Sequence, residues 1–250
     1  INIKKGKLFK GVIYMKYKEN IKNSYKNILG LVIVILIIFI KVYKICFPSV
    51  QKVGKGNIKV ACIGDSITYG LGVEFRRRFS TYPAILASLL GRKFKVLNYG
   101  ASSRTLLSNG NHPYSKTRFI EKSLIENPDI IIIMLGSNDS KSINWNAEKY
   151  KEEYLRLIRA YQVVNNKSKI YIMTPPRAFI KVKNEKNIQN KVIKNEICPI
   201  IEEIKNETGV NIIDIYNFTK KHPEWFADGI HPNRKGNLFI ANYIASIIDN

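Results

Sequence analysis

Short apolar runs rich in β-branched residues alternate with longer stretches of helical periodicity through most of this chain. The runs cover residues 58–63, 94–99, 129–135, 169–174 and 210–215. The stretches between them, such as TYPAILASLLG and AEKYKEEYLRLIRAYQVV, carry apolar side chains at helical spacing. Strands that alternate with helices build a parallel sheet with helices packed on it. The sequence therefore predicts an α/β fold around a parallel sheet of about five strands.

Polar motifs follow three of these predicted strands. They are GDS at residues 64–66, NYGASS at 98–103 and GSND at 136–139, and a fourth motif, DGIHPN at 228–233, precedes the last predicted helix. Ligands of open parallel sheets bind outside the carboxyl ends of the strands. We therefore expect the four motifs to meet at one edge of the sheet.

The residue types in these motifs are those of nucleophilic catalysis. A serine hydroxyl becomes a nucleophile when an imidazole, held in one tautomer by a carboxylate, takes its proton. The chain has three histidines, and only His231 has an aspartate, Asp228, three residues before it; His112 and His222 have no carboxylate at this spacing. We predict that Ser66 is the nucleophile, His231 the base and Asp228 the residue that orients the base.

Acyl transfer also requires hydrogen-bond donors for the oxyanion that develops in the transition state. The candidates at the strand ends are the backbone N–H groups of Ser66 and Gly100 and the side-chain amide of Asn138. Each residue also has a structural interpretation: Ser66 as a helix cap, Gly100 as a flexible backbone position and Asn138 as a turn residue. The occurrence of all four motifs together favours the catalytic interpretation. Asp65 is predicted to have a structural role.

The four motifs, in this order, resemble those of the SGNH (GDSL-type) hydrolases, a family of esterases and lipases. The resemblance covers about residues 58–248. It implies a three-layer α/β/α sandwich with a flavodoxin-like sheet, and a site that needs no metal or organic cofactor. The second motif departs from the family pattern, because Ser103 stands where a second glycine is common. The motifs are most similar to those of members that hydrolyse carbohydrate O-acetyl esters.

The N-terminal quarter has a different composition. Residues 28–40 have no polar side chain, and extension to residue 47 gives about the 20 residues that cross a bilayer if Lys41 and Lys44 snorkel. The first 56 residues contain twelve Lys and one Glu, and so carry half of the net charge of +22. The positive-inside rule places the lysines before the apolar run in the cytoplasm, and the catalytic motifs outside.

These features predict four segments: a basic cytoplasmic arm (1–27), a transmembrane anchor or signal segment (28–47), a linker (48–57) and an SGNH hydrolase domain (58–250). No A-x-A-like cleavage site follows the apolar run, which favours an uncleaved anchor over a secreted product. Met15 is a possible start of translation.

The three cysteines, Cys46, Cys62 and Cys198, indicate neither a metal site nor a disulfide framework, because they lack paired spacing and neighbouring histidines. Lysines scattered along the predicted helices disfavour nucleic-acid binding. We therefore expect an outward-facing serine esterase that removes acetyl or other short acyl groups, from a glycan or another small ester. The alternatives are an envelope O-acyltransferase with the same triad, a noncatalytic module that binds polyanions, and an intracellular lipid or thioester hydrolase.

Overall fold

The computed structural model describes residues 2–46, 49–180, 184 and 187–248. The chain divides into two compact units, residues 1–48 and 49–250. Residues 47 and 48, where the predicted anchor ends and the predicted linker begins, lie outside the described residues.

The second unit is built on one six-stranded sheet. Its strands are β1 Gln51–Val53, β2 Ile58–Gly64, β3 Phe94–Gly100, β4 Ile130–Met134, β5 Lys169–Met173 and β6 Asn211–Ile213. Their order across the sheet is β1-β3-β2-β4-β5-β6. Strands β2 to β6 are parallel to one another and overlap the five predicted apolar runs. The chain enters at the edge strand β1, and the next strand, β2, lies in the interior of the sheet between β3 and β4.

The edge strand β1 was not predicted, since its residues were assigned to the linker. It pairs antiparallel to β3, with Gln51 opposite Asn98 and Val53 opposite Val96, so the sheet is mixed rather than wholly parallel. A three-residue strand is too short to produce an alternating hydrophobic pattern, which explains why the sequence did not reveal it. It covers backbone groups of β3 that an open edge would leave unpaired.

Ten α-helices are present among the described residues. They are α1 Asn2–Cys46, α2 Ser66–Tyr69, α3 Arg77–Ser80, α4 Tyr82–Leu90, α5 Phe119–Glu126, α6 Ala147–Val164, α7 Asn190–Val192, α8 Cys198–Thr208, α9 Ile215–Thr219 and α10 Arg234–Ile248. A π-helical segment, Ile193–Ile197, joins α7 to α8.

Alternate residues of each central strand face different helical layers. On β2, Ala61 and Ile63 pack in a core with residues of α5, α6 and α8. Val60 and Cys62 point to the other face and pack with residues of α4 and α10. All five residues of β4 are buried, because helices cover both of its faces. The predicted α/β/α sandwich is therefore confirmed.

The first unit consists of the 45-residue helix α1. Within it, Ile21–Ile40 form a stretch with a mean hydropathy of 2.0, long and apolar enough to cross a membrane, and none of it is buried. The stretch overlaps the predicted span of residues 28–47. Signal sequences and membrane anchors share these properties.

Candidate active site

Ser66 lies directly beyond the carboxyl end of the central strand β2, as the first residue of α2. Asp65 caps this helix: its Oδ1 accepts a hydrogen bond from the Ile67 N–H at 2.9 Å. The cap role belongs to Asp65 rather than to Ser66, which leaves the serine hydroxyl available for other contacts. Asp65 is fully buried, and burial raises its pKa to about 6.

The Ser66 hydroxyl meets His231 although 165 residues separate them in the chain. Ser66 Oγ lies 2.9 Å from His231 Nε2, and His231 Nδ1 lies 2.6 Å from Asp228 Oδ2. Ser66 is 8% exposed, whereas the Asp228 side chain is 54% exposed. The serine thus sits in a shallow site, with its histidine between it and a carboxylate near the surface.

A tight turn holds Asp228 against the histidine. Asp228 Oδ1 accepts the N–H groups of Ile230 and His231 at 2.9 and 2.8 Å, which leaves Oδ2 for the ring. Gly229 has a φ of +82°, a conformation that favours glycine. Partial burial acts to raise the pKa of Asp228, but the hydrogen bonds from His231 and Ile230 outweigh it and hold the pKa below its usual value. Asp228 is therefore ionised at neutral pH and favours a proton on Nδ1.

Asn138 follows β4 and is brought to the same edge. Its Nδ2 donates to the Arg104 carbonyl oxygen at 3.2 Å and, in a longer contact of 3.4 Å, to Asp65 Oδ2. Asn144 Nδ2 donates a hydrogen bond to the Asn138 carbonyl oxygen at 2.9 Å, which holds the backbone of Asn138 in place. The side-chain amide is thus oriented, and its longer bond is the weaker of the two.

The prediction that the Gly100 N–H serves as an oxyanion donor does not fit the structure. This N–H donates to Asn98 Oδ1 at 2.8 Å, and Asn98 Nδ2 in turn donates to the Thr68 carbonyl at 2.8 Å. A Cβ on Gly100 would lie 2.1 Å from the Tyr69 backbone nitrogen. Gly100 is therefore required for close packing between β3 and α2, and its N–H is already bonded.

Ser103 keeps the loop conformation that a glycine would adopt. Its φ is +63°, in the left-handed region, and its side chain is exposed. The departure from the family motif therefore leaves the backbone in the glycine-like form, at an expected strain of about 1–2 kcal/mol. The Arg104 carbonyl, one residue later, is the group that contacts Asn138.

Asp139 is a site residue that the sequence analysis did not single out. It is fully buried, and its two carboxylate oxygens accept the N–H groups of Leu106 and Leu107 at 3.0 and 2.9 Å. Burial raises its pKa to about 7, although these hydrogen bonds act in the opposite direction. Asp139 joins the loop after β3 to the loop after β4. It stands in the GSND motif, so its position was visible in the sequence, but its partners were not.

The other two histidines lie apart from this cluster. His222 stacks on Trp225 with ring centroids 3.8 Å apart and contacts Glu224, and His112 is exposed on the loop after β3. Within the described residues, no group of three or more His, Cys, Asp or Glu side chains is arranged to hold a metal ion.

The sequence profile of the GDSL-like lipase/acylhydrolase family matches residues 62–238. An acetylxylan esterase of Xylanibacter ruminicola is 36% identical over 210 residues, which cover 76% of this chain and 43% of that protein. The chain thus spans less than half the length of this relative. An isoamyl acetate-hydrolyzing esterase 1 homolog of Bos taurus is 24% identical, and the match covers 76% of this chain and 81% of that protein.

Solved structures with the same fold include two esterases that act on carbohydrates. Est24, a carbohydrate acetylesterase from Sinorhizobium meliloti, has a TM-score of 0.63 at 19% identity and covers 77% of this chain and 99% of its own. The acetyl xylan esterase AlAXEase has a TM-score of 0.61 at 24% identity, and the match covers 76% of this chain and 100% of the AlAXEase chain. At these identities the likeness concerns the fold.

Proposed function

Because this chain belongs to the GDSL-like lipase/acylhydrolase family, we propose that it is a serine esterase that removes acetyl or other short acyl groups from a glycan. The proposal rests chiefly on one observation: Ser66 Oγ, His231 and Asp228 form a continuous hydrogen-bonded series at the carboxyl edge of the sheet. The family membership explains why such a series lies there.

In the proposed first step, His231 Nε2 takes the Ser66 proton as Oγ attacks the carbonyl carbon of the ester. The Asp228 carboxylate stabilises the imidazolium that forms. The tetrahedral intermediate then collapses, and His231 returns the proton to the departing sugar oxygen. This step leaves an acyl group on Ser66 and a free sugar hydroxyl.

In the second step, water takes the place of the sugar. His231 removes a proton from the water, whose oxygen attacks the acyl carbon, and the acid departs as Ser66 recovers its proton. Acyl transfer to a sugar hydroxyl instead of water would use the same groups. The two reactions therefore differ in the acceptor that reaches the acylated serine.

Three groups are proposed as oxyanion donors. Ser66 is the first residue of its helix, where a backbone N–H has no acceptor in a preceding turn. Asn138 Nδ2 would exchange its 3.4 Å contact with Asp65 for the substrate oxygen. We assign the third donor to the Ser103 N–H instead of Gly100, because Ser103 holds the glycine-like φ of +63° in the loop that contacts Asn138 through Arg104.

The acyl group and the glycan are inferred from the relatives. The acetylxylan esterase of Xylanibacter ruminicola and the two carbohydrate-active esterases carry names that describe acetyl esters of sugars. The proposed substrate class is therefore an O-acetylated carbohydrate, which is a narrower class than small esters in general.

We further propose that the apolar stretch Ile21–Ile40 tethers the enzyme to the membrane, with the basic residues before it in the cytoplasm and the catalytic domain outside. The four predicted segments, with boundaries after residues 27, 47 and 57, belong to this proposal. Cleavage of the apolar stretch would give a secreted enzyme with the same site.

The experiment that tests the esterase is hydrolysis of p-nitrophenyl acetate, butyrate and octanoate by the full chain in detergent. Turnover is expected to fall with acyl length and to drop by a factor of about a thousand or more in Ser66→Ala and His231→Ala. His112→Ala and Ser88→Ala are matched controls, because both side chains are exposed and lie outside the site. Absence of turnover in a folded chain would reject hydrolysis and favour the acyltransferase or the polyanion-binding module.

A further inference from the structure

A cavity of about 370 Å³ is lined in part by Arg177, in the loop that follows β5. This volume falls within the range of roughly 300–1,000 Å³ typical of small-molecule sites. The residues around the cavity are polar or basic: Arg177, Asn190, Lys194, Tyr216, Asn217 and Lys220. We refer to this cavity as the basic pocket.

The basic pocket presents positive charge without a matching carboxylate in its described lining. Lys220 Nζ contacts Asn217 Oδ1, an uncharged oxygen, at 2.8 Å. Arg177 Nη1 donates to the Lys220 carbonyl at 2.9 Å. Asp214 lies nearby, but its carboxylate is engaged by Thr174 Oγ1 and by the Asn217 backbone and side chain. Arg177 also lies over the Phe179 ring, 5.1 Å from its centroid, and among the described residues no carboxylate forms an ion pair with the three cationic groups.

The uncharged groups of the pocket are suited to sugar hydroxyls. The Asn190 amide donates to the Tyr216 phenol oxygen at 3.2 Å, and its oxygen accepts the Ala178 N–H at 3.1 Å. Both side chains are thus held in fixed orientations, and Asn217 is exposed beside them. Fixed amides and a phenol provide donors and acceptors for hydroxyl groups, which a pocket for a bare anion does not need.

A π-helical segment brings one of the lysines into the pocket. Lys194 lies in the Ile193–Ile197 segment that joins α7 to α8. Such segments are uncommon and occur frequently at functional sites, because the widened turn redirects a side chain. The lysine is exposed, and among the described residues no carboxylate pairs with it.

The basic pocket is connected to the active site through one loop. Arg177 lines both the basic pocket and a crevice that includes Ile67 and Ile230, the neighbours of Ser66 and His231. The Phe179 N–H donates to the Gly229 carbonyl at 2.8 Å, so the loop after β5 is bonded to the turn between Asp228 and His231. The loop after β5 therefore borders the basic pocket and is bonded to the turn that carries the histidine.

On these grounds we propose that the basic pocket binds a negatively charged sugar unit of the acylated glycan, through its carboxylate or phosphate group. The inference rests on the proposed esterase function, because it assigns the substrate of that site. The cations would hold the anionic group, while Asn190, Asn217 and Tyr216 would contact hydroxyls. The residues of the basic pocket, and not the catalytic residues, would then determine the specificity for an acidic glycan.

The test compares two acetylated xylo-oligosaccharides, with and without a glucuronate branch, and p-nitrophenyl acetate, which has neither a sugar unit nor an anionic group. The double variant Lys194→Gln, Lys220→Gln in the full chain is expected to lose about tenfold or more in kcat/KM on the branched oligosaccharide, mainly through KM. Its rate on p-nitrophenyl acetate should be unchanged. The matched control Lys149→Gln, Lys167→Gln removes the same charge from exposed positions outside the pocket.

A binding measurement separates this inference from the esterase itself. Calorimetry on Ser66→Ala should detect the branched oligosaccharide, with competition by methyl glucuronide or by glucose 6-phosphate identifying the anion. The pocket assignment is overturned if neither methyl glucuronide nor glucose 6-phosphate competes with the oligosaccharide. It is also overturned if the control Lys149→Gln, Lys167→Gln loses as much kcat/KM on the branched oligosaccharide as the pocket variant does. If the wild-type chain hydrolyses both oligosaccharides at equal rates and still hydrolyses p-nitrophenyl acetate through Ser66, the pocket assignment alone is rejected. If the wild-type chain hydrolyses none of the three esters, the esterase function is rejected.

Discussion

In the proposed mechanism, Asp228 acts on the reaction only through its contact with His231 Nδ1. Asp228→Asn can keep its one oxygen on the two backbone N–H groups, and it then places an amide N–H against Nδ1. We expect kcat on p-nitrophenyl acetate to fall by about 10²–10⁴, because the tautomer and the imidazolium lose their support. A variant that retains more than a tenth of the activity would contradict the assigned role.

Ser103 carries strain that a glycine would not. Ser103→Gly should raise the free energy of unfolding by about 0.5–1 kcal/mol, the relief of the left-handed φ less the greater freedom of glycine in the unfolded chain. Urea unfolding followed by tryptophan fluorescence measures it, since both tryptophans lie in the second unit. Ser115→Gly, at a position without positive φ, should instead destabilise the domain. Equal signs for the two variants would show that φ is not the cause.

Asp139 links stability to pH. Its pKa is about 7 in the folded chain against 3.8 for a free side chain, so the folded state binds the proton more tightly. Its contribution to stability is full below pH 4 and is lost as the pH rises towards 7. Asp139→Asn should therefore flatten the decline in unfolding free energy between pH 4 and 8. Exposed Glu148→Gln should leave the slope unchanged, and an unaltered slope in Asp139→Asn would contradict the burial argument.

The strands show what hydrophobic pattern can and cannot reveal. Runs at 58–63 and 94–99 became β2 and β3 with almost the predicted bounds, because continuous apolar residues are needed where helices cover both faces. The last run, 210–215, ends earlier as β6, since Asp214 caps α9 and stops the strand. The bond between Asn98 and Gly100 has no sequence signature, so the sequence could not show that the Gly100 N–H already has an acceptor.

Strand β4 is the most deeply buried of the six and should be the most sensitive to loss of volume. Ile132 is fully buried at its centre. Ile132→Ala is expected to lower the free energy of unfolding by about 2–5 kcal/mol, through lost transfer energy and the cavity that remains. Ile143, which is 52% exposed, gives the matched control: Ile143→Ala should change stability by less than about 0.5 kcal/mol. A similar loss in both variants would mean that burial does not determine the effect.

At the scale of the whole molecule, the chain contains a domain of the GDSL-like family and an N-terminal apolar stretch that is proposed to be a membrane tether. The match over residues 62–238 confirms the resemblance to GDSL-type hydrolases that the four motifs indicated. For the tether, the full chain should stay with membranes after an alkaline carbonate wash. Leu31→Arg, in the middle of Ile21–Ile40, costs about 2.5–3.5 kcal/mol for insertion and should release part of the protein from the membrane. A mature chain that lacks these residues by mass spectrometry would identify a signal sequence instead.

The hydrogen bond between Ser66 and His231 joins residues 165 positions apart, one following the first central strand and the other preceding the last helix. During synthesis, a ribosome that has released the serine must still add nearly the entire domain before the histidine emerges. In the proposed mechanism, a chain that stops before residue 231 has the nucleophile without its base. Turnover of an ester would therefore require synthesis and folding at least through residue 231.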